Sequence, residues 1–162
     1  MPKRSYATDQ IRVFWNSELC IHSAICLKNL PSVFDVHRRP WIDIEGSDAV
    51  RIARTVELCP SGALTYERLD GVPGEEAPNE TVVVPWPNGP LLVRGRIEVR
   101  DADGNTFVRG TRVALCRCGN SQNPPFCDLS HRATGFRSHP RAVAPAREEA
   151  ESPSDISTEI GP

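Results

Sequence analysis

The six cysteines of this 162-residue sequence divide three and three between its two halves. The tighter group lies in ALCRCGNSQNPPFCDLSHRATGF, where Cys116, Cys118 and Cys127 are followed by His131. The spacing is C-x-C, eight residues, then C-x3-H, which puts four soft or borderline ligands within sixteen residues. Such a set can close around a metal centre. Thiolates favour zinc, copper(I) or iron–sulfur, and a neutral imidazole is compatible with each. Cys127 and His131 stand at i and i+4, which predicts one face of a helical turn, with Asp128 placed to favour its start. Gly119, Asn120 and Ser121 offer donors beside the first two thiolates. Donors of that kind stabilise cluster sulfurs and raise a reduction potential.

The other group is Cys20 and Cys26 in CIHSAIC, with Cys59 arriving later and followed by Pro60. A bacterial ferredoxin run reads C-x2-C-x2-C with a distant Cys-Pro. Here the first, third and distant positions are cysteines, and the middle one is Ser23. Three thiolates suit a 3Fe-4S cluster; a 4Fe-4S cluster needs a fourth ligand from His22, Ser23 or water. The competing reading is three unpaired cysteines in a core, where free thiols are often buried.

Composition supports metal over disulfide. Met1-Pro2-Lys3-Arg4-Ser5 is a basic start with no apolar run behind it, so a secretory leader is not expected and the chain reads as cytoplasmic. Thiols there should be reduced or metal-bound. No run of eighteen apolar residues suggests a membrane span. Fifteen prolines, eleven glycines and 6% aromatics predict short elements and small cores that metal centres would help to hold. Residues 81–140 carry eight arginines against four acids, a charge that could meet an acidic partner but more simply describes a solvated sheet face.

The elements that must position these groups follow from periodicity. Residues 11–15 read as a strand, Leu30-Pro31 should end any helix in 19–29, and Trp41–Ile44 reads as a short strand. A helix capped by Ser47, with Val50, Ala53 and Val56 at its spacing, should stop near Cys59-Pro60, and 63–66 returns as a strand. That is β-α-β-α-β. The acidic, Pro- and Gly-bearing stretch 70–80 is a linker. Beyond it come strands at 81–84, 91–100 and 105–115, the last two turned by Asp103-Gly104 and the last running into Cys116. The tail 141–162 has the composition of a disordered acidic segment.

Residues 89–137 resemble the CDGSH iron–sulfur family. Cys116, Cys118, Ser121, Pro125, Cys127, Asp128 and His131 meet its pattern, while Leu129 stands where the family has Gly, as an acceptable helical residue. The resemblance implies a 2Fe-2S cluster on three Cys and one His, with Cys116 and Cys118 on the inner iron and Cys127 and His131 on the outer. Residues 9–68 resemble divergent monocluster ferredoxins through C-x-H-x3-C, Pro31–Phe34, Arg39–Ile42 and Cys59-Pro60-Ser61-Gly62-Ala63-Leu64.

The fold expected is therefore α+β. A small ferredoxin-like domain over 9–69, with a 3Fe-4S or 4Fe-4S cluster, precedes a β-rich CDGSH-type domain over 81–140, and each unit should fold around its own metal. With no nucleotide loop, flavin fingerprint or triad, the implied role is electron transfer rather than catalysis. The implied partners are a reductase and an oxygenase or other oxidoreductase; nucleic acid and membrane are not expected, and the CDGSH resemblance allows a homodimer. Cluster storage or transfer, redox sensing and a structural zinc module are the rival functions.

Overall fold

The computed structural model describes residues 3–142, so the tail expected to be disordered lies, from 143 onward, outside the described residues. Two three-stranded antiparallel sheets organise the chain, in the orders β1-β2-β3 and β4-β5-β6. The first contains β1 (Lys3–Ala7), β2 (Ile11–Asn16) and β3 (Leu64–Arg68). Ile11 and Val13 alternate along β2 and point into a core with Leu30, Val33, Phe34 and Ile52. Each such side chain contributes roughly 1.5–3 kcal/mol by leaving water.

Two short helices complete this layer. α1 (Ile25–Asn29) ends before Leu30-Pro31. α2 (Ala49–Glu57) is capped by Asp48 instead of Ser47: its carboxylate accepts the Arg51 N–H at 3.0 Å. Ala49, Ile52, Ala53 and Val56 form its buried face, whereas Val50 is 46% exposed.

The element order differs from the expected β-α-β-α-β: it is β-β-α-α-β. Residues 3–7 form a strand although they lack apolar alternation, because pairing with β2 supplies what their side chains do not signal. Trp41–Ile44 does not continue as a strand. The Asp43 carboxylate accepts the Glu45 N–H and opens a 3-10 turn at Ile44–Gly46, leaving one bridge between Phe34 and Ile42.

The second sheet contains β4 (Val82–Pro85), β5 (Leu91–Arg100) and β6 (Thr106–Leu115), with a single-turn helix α3 (Ser130–Ala133) after it. Asp101 closes the β5–β6 turn by accepting the N–H groups of Asp103 and Asn105. The arginine excess is partly internal: Arg100 and Arg109 pair with Glu98, and Arg112 with Glu75.

The two sheets do not stand apart. Leu19 and Ala63 from the first unit pack with Val113 and Phe126 from the second in one buried cluster. The 70–80 segment forms no helix or strand, yet its Glu75 turns inward to Arg112.

Candidate metal centres

The C-terminal group is assembled by a strand and a chain that returns beside it. β6 ends at Leu115 and delivers Cys116. Residues 125–127 come back along it: the Cys116 N–H donates to Pro125 O at 2.8 Å, and the Cys127 N–H to Ala114 O at 3.0 Å. Phe126, 1% exposed, anchors the return in the shared core. Cys116 Sγ lies 3.8 Å from Cys118 Sγ, and Cys127 Sγ lies 3.5 Å from His131 Nδ1. The ligands expected from sequence thus come as two close pairs.

The loop between the pairs is tied by its own side chains. Ser121 Oγ donates to Phe126 O at 2.6 Å and accepts the Asn123 N–H at 3.1 Å. Asp128 accepts the N–H groups of Gln122 and Ser130, which hold its carboxyl at about 2. Arg117, between the two first cysteines, reaches away to Gly89 O at 3.0 Å and Trp86 O at 2.8 Å. Nothing in the C-x-C spacing marks this middle residue; only the folded chain brings Gly89 and Trp86 to it.

Cys127 and His131 do not share a helical face. α3 begins only at Ser130, and Leu129 before it is left-handed, with φ 75 and ψ 5. A left-handed residue costs a side chain about 1–2 kcal/mol, which glycine avoids. The one departure from the CDGSH pattern therefore puts a side chain at a position of positive φ, and Leu129 is not the helical residue expected.

Burial opposes ionisation of Cys116, but the N–H groups of Ser121, Gly119 and Cys118 and the Cys118 thiol outweigh it and hold its thiol below the ordinary range. Cys127 is pushed up by burial, against the Leu129 N–H, and by the neighbouring Cys116, Asp128 and Cys118 charges. Burial and then Arg132 hold the His131 imidazole below its usual pKa, with Asp128 opposing. The ring is held neutral, the form that binds metal.

The N-terminal group converges as well. Cys20, Cys26 and Cys59 line one cavity of about 540 Å³, together with His22, Ser23 and Trp41. His22 and Ala24 are both left-handed, at φ 45 and 58, so the loop around Ser23 is strained at two non-glycine positions. Burial and then Cys59 and Cys20 push the Cys26 thiol up to about 11. Burial raises Cys20 too, against the His22 N–H, with Cys59 adding to the rise. Burial, the largest cause at both thiols, disfavours their ionised forms.

Ile21, His22 and Ser23 also line a second cavity of about 650 Å³ that includes His131 and Arg132. The same three residues thus line the cavity of the N-terminal cysteines and a cavity that reaches His131.

Among the described residues, no three His, Cys, Asp or Glu side chains converge tightly enough to hold a single ion. Soft thiolates with a neutral imidazole at one group, and three thiols around a cavity at the other, are donors that fit an iron–sulfur group. Among the described residues, no helix is long and apolar enough to cross a membrane.

Comparison with known proteins agrees with this division. Residues 6–69 match the family described as a divergent 4Fe-4S mono-cluster, and residues 88–132 match the iron-binding zinc finger of CDGSH type. Uncharacterized protein YjdI of Escherichia coli strain K12 is 35% identical over 63 residues, covering 39% of this chain and 83% of YjdI. YjdI of Escherichia coli O157:H7 matches to the same extent. The chain belongs to the divergent 4Fe-4S mono-cluster family and carries, after that domain, a second iron-binding domain of the CDGSH type.

Proposed function

We propose that this iron–sulfur protein transfers electrons and holds two clusters. Cys116, Cys118, Cys127 and His131 hold a 2Fe-2S cluster. Cys20, Cys26 and Cys59 hold a 3Fe-4S cluster, or a 4Fe-4S cluster completed at its fourth iron by His22, Ser23 or water, in a divergent ferredoxin-like unit. The observation that carries the reading is the pairing of ligands at 3.8 and 3.5 Å, two for each of two irons. When bound, such clusters supply one-electron exchange.

The chain's own residues set the terms of that exchange. The N–H groups on Cys116 Sγ stabilise negative charge there. Asp128 and Ser121 brace the ligand loop, and His131 contributes a ligand without charge. Redox proteins are the partners, a reductase upstream and an oxygenase or other oxidoreductase downstream, and the chain performs no turnover of its own.

Anaerobic purification followed by iron, sulfide and zinc counts, visible absorption and EPR tests the assignment. About five or six irons per chain, by the stoichiometry of the two cluster types, are expected. A colourless protein with stoichiometric zinc would overturn it.

A further inference from the structure

We infer that Arg112 is a positioning residue for the N-terminal centre, supplied by the strand that carries the C-terminal one. The inference rests on the assignment of Cys59 as a ligand. The Arg112 side chain is 1% exposed and reaches across the boundary between the two units. Its Nη1 donates to Val56 O and to Cys59 O, each at 2.6 Å. Its Nη2 donates to Leu64 O at 3.4 Å and to Glu75 Oε2 at 2.6 Å. Val56 lies in the last turn of α2 and Cys59 just past its end. The guanidinium therefore adds a second donor to the Val56 carbonyl, which also accepts the Cys59 N–H at 3.0 Å, and takes the Cys59 carbonyl beyond the helix, at the negative end of the helix dipole.

A backbone contact reinforces the side-chain one. Gly62 has φ 68, and a Cβ there would lie 2.4 Å from the Arg112 carbonyl oxygen. Residues 59–64 are thus held against β6 by its guanidinium and by main-chain contact. Four positions further along the same strand direction stands Cys116. Residues 59–64 and Cys116 are thus positioned by the same strand.

Arg112 also bears on charge. Its guanidinium against the Cys59 carbonyl favours added negative charge at the three-thiolate site, and Glu75 offsets it. Glu75 is itself held by Thr111 Oγ1, which donates to Oε1 at 2.7 Å. Glu75→Gln keeps an acceptor oxygen and removes the offsetting charge. Arg112→Lys keeps the positive charge and loses the planar fork that spans several acceptors.

The test uses both variants in the full chain. In Glu75→Gln the potential of the N-terminal centre should rise while that of the C-terminal centre stays. An unchanged N-terminal potential, or equal shifts at both centres, overturns the proposal. In Arg112→Lys, amide exchange over residues 59–64 should accelerate several-fold, read on the protein as purified with whatever metal it holds. Unchanged exchange there overturns the proposal. If wild-type protein proves to lack iron at the N-terminal centre, the cluster assignment fails by its own count, and the exchange measurement still decides the role of Arg112. Should Arg112→Lys not fold, Glu75→Gln decides.

Discussion

Asn123 Nδ2 donates to the carbonyl oxygen of Glu18 at 3.1 Å, joining residues 105 positions apart. Glu18 lies two residues before Cys20, and Asn123 lies in the loop between Cys118 and Cys127. The turn that leads into Cys20 and the loop between Cys118 and Cys127 therefore touch directly, beside the shared cluster of Leu19, Ala63, Val113 and Phe126.

Residues 81–142 expressed alone should therefore bind iron but unfold at lower urea than the same segment in the full chain. Metal binding and folding are coupled within the unit, which favours retention of the cluster. Removal of the first unit, however, strips Arg112 of its carbonyl partners and of Glu75. Breaking a buried pair costs about 3–5 kcal/mol, less here because the freed guanidinium regains water. Urea midpoints with iron content measured on the same samples check this, and equal midpoints would show that the boundary contributes nothing.

Leu129 offers a test of backbone strain. Leu129→Gly should unfold at higher denaturant than Leu129→Ala, by about 1 kcal/mol, because alanine retains the left-handed penalty and glycine does not. The difference is moderated by glycine's greater freedom in the unfolded chain. Equal midpoints for the two variants would mean that the φ of 75 costs nothing.

Ser23 lines the cavity of the three N-terminal cysteines, at the position where the ferredoxin run has its middle ligand. If that centre is 3Fe-4S, the oxidised protein should show an EPR signal while the oxidised 2Fe-2S centre stays silent. Ser23→Cys should then convert it toward 4Fe-4S and abolish the signal. A silent oxidised wild type with about six irons per chain, from two plus four by cluster stoichiometry, would sink the three-iron assignment.

Much of the site was legible because ligand spacing is local. Cys116, Cys118, Cys127 and His131 lie within one short segment, and the return of 125–127 beside β6 needs few residues. The strands at 11–16, 64–68 and 106–115 announced themselves by apolar pattern and turn chemistry. Residues 3–7 did not, since an edge strand is defined by its partner more than by its own side chains. Arg112 was hidden for a similar reason. A lone arginine in TRVAL looks like a solvent-facing residue, and only tertiary structure brings the α2 terminus and Glu75 to it. At Leu129 the i and i+4 spacing of Cys127 and His131 suggests a helix, whereas Asp128 accepts the Ser130 N–H and the helix begins only at Ser130.

His131 links potential to acid sensitivity. An imidazole places one less negative charge on the centre than a thiolate does, so the reduced form is less disfavoured. Exchanging two thiolates for two imidazoles moves 2Fe-2S potentials from about −400 mV to roughly −150 to +300 mV, and a single exchange should fall between. His131→Cys should therefore keep the cluster and lower its potential. The pH dependence follows from the ring's depressed pKa, caused first by burial and then by Arg132, against Asp128. Between the folded and unfolded values the unfolded chain binds more protons, so stability rises with pH. The contribution of neutral His131 is complete above about pH 6.5, the ordinary imidazole value, and is lost as pH falls through the folded one. A bound iron competes with the same proton and steepens the loss. Wild-type protein should bleach in mildly acidic buffer while the Cys variant persists. Potentials and bleaching rates against pH, measured for both proteins, check the prediction: equal acid sensitivity together with an unchanged potential would remove His131 from the ligand set.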